Sequence, residues 1–183
     1  MKRHARIFCA ATAVAVMVGG GAACGGEADG GPGPDDLATL AIGGTPDDGG
    51  GGFVPLGGDA PLIPGSQGGF HVWLKYRITG MAPGLVKVRH SARRASDARL
   101  VLTAERRQEL GPATTDGYWE LPAALPAFMC PSPLGVRVVD ETIRFRIEVL
   151  SADGAPVAQG EAEATPRCPS GTHADFCARI CSG

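Results

Sequence analysis

Four cysteines near the end of the chain are the residues whose type and spacing are best suited to chemistry. They are Cys130, Cys168, Cys177 and Cys181. Thiols placed this close together form disulfides or hold a soft metal such as zinc. Separations of nine and four residues between the last three match no zinc pattern of the kind that structural sites use. The spacing therefore favours disulfides, with a metal site that adds His173 as the alternative.

The segment after Pro166 predicts how these cysteines pair. A short helix is expected there, and Cys177 and Cys181, four residues apart, would share one of its faces. Two cysteines on successive turns of one helix are awkward partners for each other. We expect them to bond to Cys130 and Cys168, in an order that the sequence leaves open. Each bridge is expected to contribute about 2–4 kcal/mol to stability.

Histidines are the other candidates for acid–base or metal chemistry. Outside the N-terminal segment the chain has His71, His90 and His173. The first two lie on successive predicted strands and could face each other across a hairpin; the alternative is that each is an ordinary strand residue. A metal-handling protein that uses these three side chains is one hypothesis. No nucleophile-elbow, zinc-protease, phosphate-loop or dinucleotide motif occurs in the sequence. We therefore predict that the protein is not an enzyme, and we expect neither a cofactor nor a bound metal.

Aromatic and cationic side chains on the predicted strands form the candidate binding surface. Apolar and polar residues alternate over residues 70–79, which puts one row of side chains on the outward face. With two arginines from a later strand, the surface comprises His71, Trp73, Lys75, Arg77, Arg144 and Arg146. An exposed Trp73 would stack on a sugar ring or anchor a protein, and the cations would suit an anionic glycan. The alternative is a solvated sheet face on which a loop covers Trp73.

Residues 68–167 supply the elements that must position these side chains. They contain about seven short segments of two-residue periodicity joined by turns, including the hairpin signal at 151–154. The Pro-rich passage 121–133 is expected to cross between sheets, because proline lacks the ladder donor. The pattern predicts an all-β domain, an antiparallel β-sandwich. Its closing hairpin resembles the last two strands of immunoglobulin-like and fibronectin-like domains, and residues 168–183 form a cysteine-rich tail packed on it.

Residues 24–67 differ sharply from this domain in composition. They are rich in Gly and Pro, carry seven carboxylates and contain no Lys or Arg. Little apolar surface is available to offset the cost of ordering the backbone, so we predict a disordered acidic tether. Residues 37–42 and 53–56 are apolar enough to dock on a neighbouring surface, but disorder is the expectation for both.

The first 23 residues resemble the signal peptide of bacterial lipoproteins. A basic start is followed by an apolar run from Ile7 to Val18 and by small residues before Cys24. The twelve residues of that run rise about 18 Å as a helix, short of the roughly 30 Å of a hydrocarbon core. The resemblance implies cleavage before Cys24 and a lipid on its sulfur. Gly21 stands where that family usually has Leu, so ordinary cleavage and secretion are the alternative.

The same resemblance implies a location and limits the function. The chain is expected to be exported and anchored through Cys24 at the outer membrane or cell surface, where free thiols oxidise. The strand opening at Gly68–Trp73 and the cysteine-rich end are also similar to bacterial lipoproteins, a similarity that implies no activity. A formal net charge of −2 argues against nucleic-acid binding. We predict a non-enzymatic envelope protein that binds a protein or envelope polymer; the alternative is an accessory subunit of an envelope assembly.

Overall fold

The computed structural model describes residues 38–45, 50–132 and 135–183. Over these residues the chain is almost wholly β-structure. The strands are β1 (Ala38–Gly44), β2 (Val54–Pro55), β3 (Asp59–Pro61), β4 (Ile63–Pro64), β5 (Phe70–Thr79), β6 (Gly84–Arg94), β7 (Leu100–Leu110), β8 (Tyr118–Glu120), β9 (Leu125–Cys130), β10 (Ile143–Leu150) and β11 (Pro156–Arg167). A 3₁₀ turn (Gly171–His173) leads into helix α1 (Ala174–Cys181). The predicted signal peptide and Cys24 lie outside the described residues.

The strands form one connected sheet whose hydrogen-bonded path runs β4–β5–β1–β11–β10–β6–β7. Both edges of β5 are paired: β4 and β1 lie along one edge, and β9 and β8 lie along the other. The sheet curls, so that β7 at the far end of the path contacts β9. Most pairs are antiparallel, but β1 and β3 each run parallel to β11.

The all-β prediction is confirmed, and the prediction of a purely antiparallel fold is wrong. The hairpin of β10 and β11 is antiparallel, as its turn signal indicated. The parallel pairs arise because β1 and β3 come from the segment that precedes the predicted domain and insert beside β11. The two-sheet, immunoglobulin-like arrangement is not confirmed, since the strand path is continuous.

The prediction of a disordered tether up to residue 67 is also wrong for residues 38–45 and 50–67. Strand β1 lies between β5 and β11, with Leu40 and Ile42 only 9% and 6% exposed, and Leu62 is fully buried. Glycine, which predicted disorder, here permits close approach of strands: a Cβ on Gly44 of β1 would lie 3.0 Å from the carbonyl oxygen of Trp73. Within the described residues, the sheet therefore begins at Ala38 rather than at residue 68.

The core follows the predicted alternation on the two best-patterned strands. The even-numbered residues of β5 from Phe70 to Ile78 are at most 2% exposed, and the odd-numbered residues of β10 from Ile143 to Val149 are fully buried. Each large apolar side chain buried in this way contributes about 1.5–3 kcal/mol. Because these rows are buried in the core, only the opposite face of each strand is available to contact solvent or other molecules.

The four C-terminal cysteines form two disulfides, Cys130–Cys181 and Cys168–Cys177. This confirms that the two helical cysteines bond outward, and it supplies the order that the sequence left open. The bridges hold α1 against the end of β9 and the segment after β11, and Phe176 packs on Phe70 with ring centroids 5.9 Å apart. Within the described ranges, no helix is long and apolar enough to cross a membrane.

The insertion of β1 generates a stability prediction. Ile42→Ala should lower the free energy of unfolding by about 2–5 kcal/mol, because it removes buried methyl groups from the sheet core. Ala41→Ser, at the adjacent exposed position, should change it by no more than about 0.5 kcal/mol. Urea unfolding followed by circular dichroism measures both. Equal stability of the two variants would show that β1 is not part of the folded sheet.

Candidate functional site

A cavity of about 680 Å³ opens beside the first half of β5. The β4–β5 turn forms one side, where Gly65 N donates to Gly69 O at 2.7 Å and Gly68 adopts φ +83°. Strand β9 forms the other side. We call this cavity the Trp73 groove; its lining residues are Ile63, Pro64, Gly65, Ser66, Gln67, Gly68, Gly69, His71, Trp73, Pro126, Phe128, Cys130 and Pro131.

The pairing of β5 with β9 sets the geometry of the groove. His71 lies opposite Phe128 and Trp73 opposite Pro126 in the register. Gly69 allows the two strands to meet, since a Cβ there would lie 2.8 Å from the carbonyl oxygen of Cys130. The Cys130–Cys181 bridge holds that end of β9. The groove is thus built on ordered strands rather than on loops alone.

Three rings line the groove, and we call them the aromatic trio: His71, Trp73 and Phe128. The ring centroids of His71 and Trp73 are 4.4 Å apart in an edge-on arrangement, and those of His71 and Phe128 are 5.8 Å apart. Phe128 is 59% exposed, whereas Trp73 is half-buried. An exposed aromatic ring beside two recessed ones offers an apolar contact surface at the mouth of the groove.

His71 carries the most unusual chemistry of the site. It is 5% exposed, and neither ring nitrogen has a hydrogen-bond partner among the described residues; the indole Nε1 of Trp73 is likewise buried and unpartnered there. Burial lowers the pKa of His71, so its ring is neutral at pH 7, with one donor and one acceptor nitrogen. Buried polar groups usually have partners, because leaving one unpaired costs about 1–3 kcal/mol.

A smaller cavity of about 330 Å³ adjoins the Trp73 groove, and Ile63 and Trp73 line both. Its wall includes Thr45, which is 8% exposed and whose Oγ1 has no hydrogen-bond partner within the described ranges. Trp73 therefore separates two adjoining spaces, each with an unpartnered buried polar atom.

The rest of the predicted outward row on β5 is not an exposed cationic surface, and that part of the prediction is wrong. Lys75 is 5% exposed; its Nζ lies 2.7 Å from Glu120 Oε1 and 3.2 Å from Gly51 O. Arg77 bonds the other carboxylate oxygen, and its guanidinium lies 4.3 Å from the ring centroids of Phe53 and Tyr118. The reason is that residues 51 and 53 and strand β8 cover this face.

Burial acts to raise the pKa of the Glu120 carboxyl. The hydrogen bonds from Lys75 and Arg77 outweigh burial, so the pKa of Glu120 is lowered and its carboxylate is charged. One carboxylate therefore compensates both cations of this strand.

Arg144 and Arg146 lie on the outward face of β10, as predicted, with side chains 50% and 40% exposed. They do not join the aromatic trio, because β11 and β1 separate β10 from β5. Each is matched by carboxylates: Arg144 lies 2.8 Å from Glu163, and Arg146 lies 3.0 Å from both Glu161 and Glu148. The six predicted binding residues therefore do not form one surface: His71 and Trp73 line the groove, Lys75 and Arg77 are covered, and Arg144 and Arg146 lie on another strand.

The structure does not bring the three histidines together. Strand β6, which carries the buried His90, pairs with β10 and β7 and not with β5, so the predicted hairpin pairing of His71 with His90 is wrong. Burial, and then Arg106, lowers the pKa of His90. His173 is exposed in the 3₁₀ turn. Within the described part of the chain, the one cluster with metal-ligand geometry is Cys168, Cys177 and Cys181, whose sulfurs are in disulfides.

Sequence reasoning placed His71 and Trp73 on a binding surface but missed the other residues that line the groove. Phe128 and Pro126 lie in the passage that we expected to cross between sheets, yet residues 125–130 form β9. The signal was present: Leu125, Ala127 and Met129 alternate with the groove residues, and all three are buried. Proline fits the strand at 126 because β9 is not a central strand with two full ladders.

Comparisons with known proteins identify no family. No family model matches the chain, and no curated protein matches it. Among solved structures, a β-glucuronidase of Bifidobacterium dentium in complex with coumarin-3-O-glucuronide matches 69% of this chain and 18% of its own length, at 11% identity and a TM-score of 0.34. A likeness at that score supports no conclusion about fold or function.

The Lys75–Glu120 pair generates a second prediction. Glu120→Gln should lower the free energy of unfolding by about 3 kcal/mol, because it leaves the buried Lys75 ammonium without its counter-ion. Glu163→Gln breaks an exposed pair of similar distance and should cost no more than about 1 kcal/mol. Chemical denaturation of both variants at pH 7 measures the difference. Matching losses in the two variants would contradict the burial of this pair.

Proposed function

We propose that this protein is a non-enzymatic binding module of the cell envelope and that its ligand occupies the Trp73 groove. The observation that carries the proposal is His71: a buried ring with both nitrogens unpartnered among the described residues, facing a cavity of about 680 Å³ beside Trp73 and an exposed Phe128. A ligand that supplies hydrogen bonds to His71 would remove the cost of those unpaired groups. Cavities of this size, apolar with a few polar atoms, are typical of binding sites.

Binding fits the groove better than catalysis does. The described lining residues include no carboxylate and no lysine, and His71 makes no hydrogen bond there to a hydroxyl that it would activate. Acid–base or nucleophilic catalysis requires such a pair within about 3 Å. What the lining does offer is ring surface, one hydroxyl, one amide side chain and the neutral imidazole.

The envelope part of the proposal rests on the resemblance of residues 1–24 to a lipoprotein signal. The two disulfides are consistent with it, because they are stable in oxidising compartments. We propose that Cys24 carries the lipid and that export ends at the outer membrane or cell surface. Since the sheet begins at Ala38, the segment between anchor and domain is shorter than the sequence pattern indicated.

The anchor is tested by Cys24→Ser in the full chain. The variant should lose incorporation of labelled fatty acid and pass from the membrane fraction to the soluble fraction, because the thioether-forming sulfur is absent. Cys9→Ser, within the apolar run of the signal, serves as the matched control and should keep both properties. A Cys24→Ser chain that stays in the membrane fraction would overturn the lipoprotein assignment.

The groove is tested by co-sedimentation of the purified, soluble Cys24→Ser chain with envelope material from its native cells. Phe128→Ala should reduce binding at least tenfold, because it removes the exposed ring of the aromatic trio while leaving the core unchanged. Leu85→Ala removes an apolar side chain that is 67% exposed on β6, away from the groove, and should bind as the parent does. Retention of full binding by Phe128→Ala would exclude the groove as the binding site.

A further inference from the structure

We infer that the ligand of the Trp73 groove is an uncharged stretch of an envelope glycan, at least two sugar units long, whose rings lie against Trp73 and Phe128. This inference rests on the proposed function and names the class of ligand. Four features of the described residues lead to it: the absence of charge in the groove lining, the aromatic rings that line it, the unpartnered polar atoms and the pairing of β5 on both edges at His71.

The absence of charged side chains from the groove lining disfavours ionic ligands. No Asp, Glu, Lys or Arg is among the described residues that line it. The two nearest cations on β5, Lys75 and Arg77, are both bonded to Glu120. A buried charge without a counter-ion is costly, so an anionic glycan or a charged peptide side chain would be disfavoured here. The uncharged lining thus favours a neutral glycan over the anionic glycan expected from the sequence.

The groove places aromatic ring surface beside polar atoms, which is the combination that a sugar requires. A pyranose presents an apolar C–H face and a rim of hydroxyl groups, and the C–H face packs on the electron-rich face of an aromatic ring. Trp73 and Phe128 supply the faces. The rim would meet the imidazole nitrogens of His71 and the Nε1 of Trp73 once a shift of the exposed Phe128 ring uncovers these buried atoms, which are unpartnered among the described residues. A hydroxyl both donates and accepts, so adjacent hydroxyls can satisfy both imidazole nitrogens.

The neighbouring β4–β5 turn adds polar groups at the same place. A Cβ on Gly65 would lie 3.6 Å from His71 Nδ1, so this nitrogen lies beside the turn that carries Ser66 and Gln67. Both side chains are exposed and uncharged. Hydroxyl and amide groups of this kind recognise hydroxyl rims without requiring a charge on the ligand.

The pairing of β5 argues against a peptide ligand. Extended peptides gain much of their affinity by adding a strand to a free sheet edge. At His71, β5 pairs with Ile63 on one side and Phe128 on the other. Beyond it, only residues 72–74 lack a partner among the described residues on the side of β4 and β1, and an edge of three residues is too short for an added strand. A ligand in this groove must therefore bind through side chains and ring faces.

The adjoining cavity sets the minimum length of the proposed glycan. It shares Trp73 and Ile63 with the groove, and its lining includes Thr45, whose buried Oγ1 has no partner among the described residues. The one carboxylate in its described lining, Asp59, is already paired with Arg167. A single ring would leave the Thr45 Oγ1 unpaired. A chain of two or more sugar units that passes Trp73 would reach both spaces.

The envelope co-sedimentation assay tests the inference when the envelope material is first divided into three portions. One is treated with sodium periodate, which cleaves vicinal diols, one with proteinase K followed by inhibitor, and one with quenched periodate as control. We expect periodate to reduce binding at least tenfold and protease to leave it unchanged. Binding should also persist in 0.5 M NaCl, because no ion pair is involved.

Two variants identify the contacts. His71→Phe keeps an aromatic ring at this position but removes both nitrogens, and it should weaken binding at least tenfold. The double variant Ser66→Ala/Gln67→Ala changes two exposed side chains and should weaken binding severalfold. It provides a second readout if His71→Phe does not fold. Leu85→Ala should bind as the parent does. Circular dichroism establishes that each variant is folded.

The outcomes separate the inference from the proposed function. If untreated envelope material is not bound, the proposed function fails. If binding occurs but is lost to protease and survives periodate, the ligand is a protein and the inference is overturned while the binding function remains. Loss of binding in 0.5 M NaCl would overturn the uncharged class in favour of a polyanion.

Discussion

The structure depends on the nearly complete enclosure of β5. Its even-numbered side chains form the core, and both of its edges carry hydrogen-bonded neighbours. Its odd-numbered face is covered too, since Lys75 lies beneath residue 51 and bonds Glu120. A buried ammonium is tolerated only because that carboxylate is held beside it by β8. The remaining odd-numbered side chains, His71 and Trp73, are where this enclosure stays incomplete.

The incomplete part of the enclosure is the groove. There β5 is flanked by a two-residue strand and by β9, and Trp73 on its odd-numbered face is left half-buried. His71 is consequently buried by ring neighbours rather than by hydrogen-bonding ones, which is why burial lowers its pKa and leaves its nitrogens unpartnered among the described residues. The same constraint that stabilises the sheet thus produces a neutral, aromatic and polar recess suited to a ligand.

Several elements were predictable from local pattern. The period-two rows of β5 and β10 gave their buried faces correctly, and the hairpin at 151–154 joins β10 to β11 as its turn residues indicate. The outward placement of Arg144 and Arg146 was also predictable, but their neutralisation by Glu161 and Glu163 was not, because those partners lie on another strand. The register of a strand pair is a long-range property that a single strand does not specify.

The sequence by itself determined the β-rich character of residues 68–167, the outward bonding of the helical cysteines and the residue types available for binding, because each depends on short-range periodicity. Tertiary structure alone decided that β1 enters the sheet parallel to β11, that Lys75 is buried while Phe128 is exposed, and that Phe128 meets His71. The physical reason is that a glycine-rich segment has weak local preferences, so contacts with distant strands determine whether it becomes ordered.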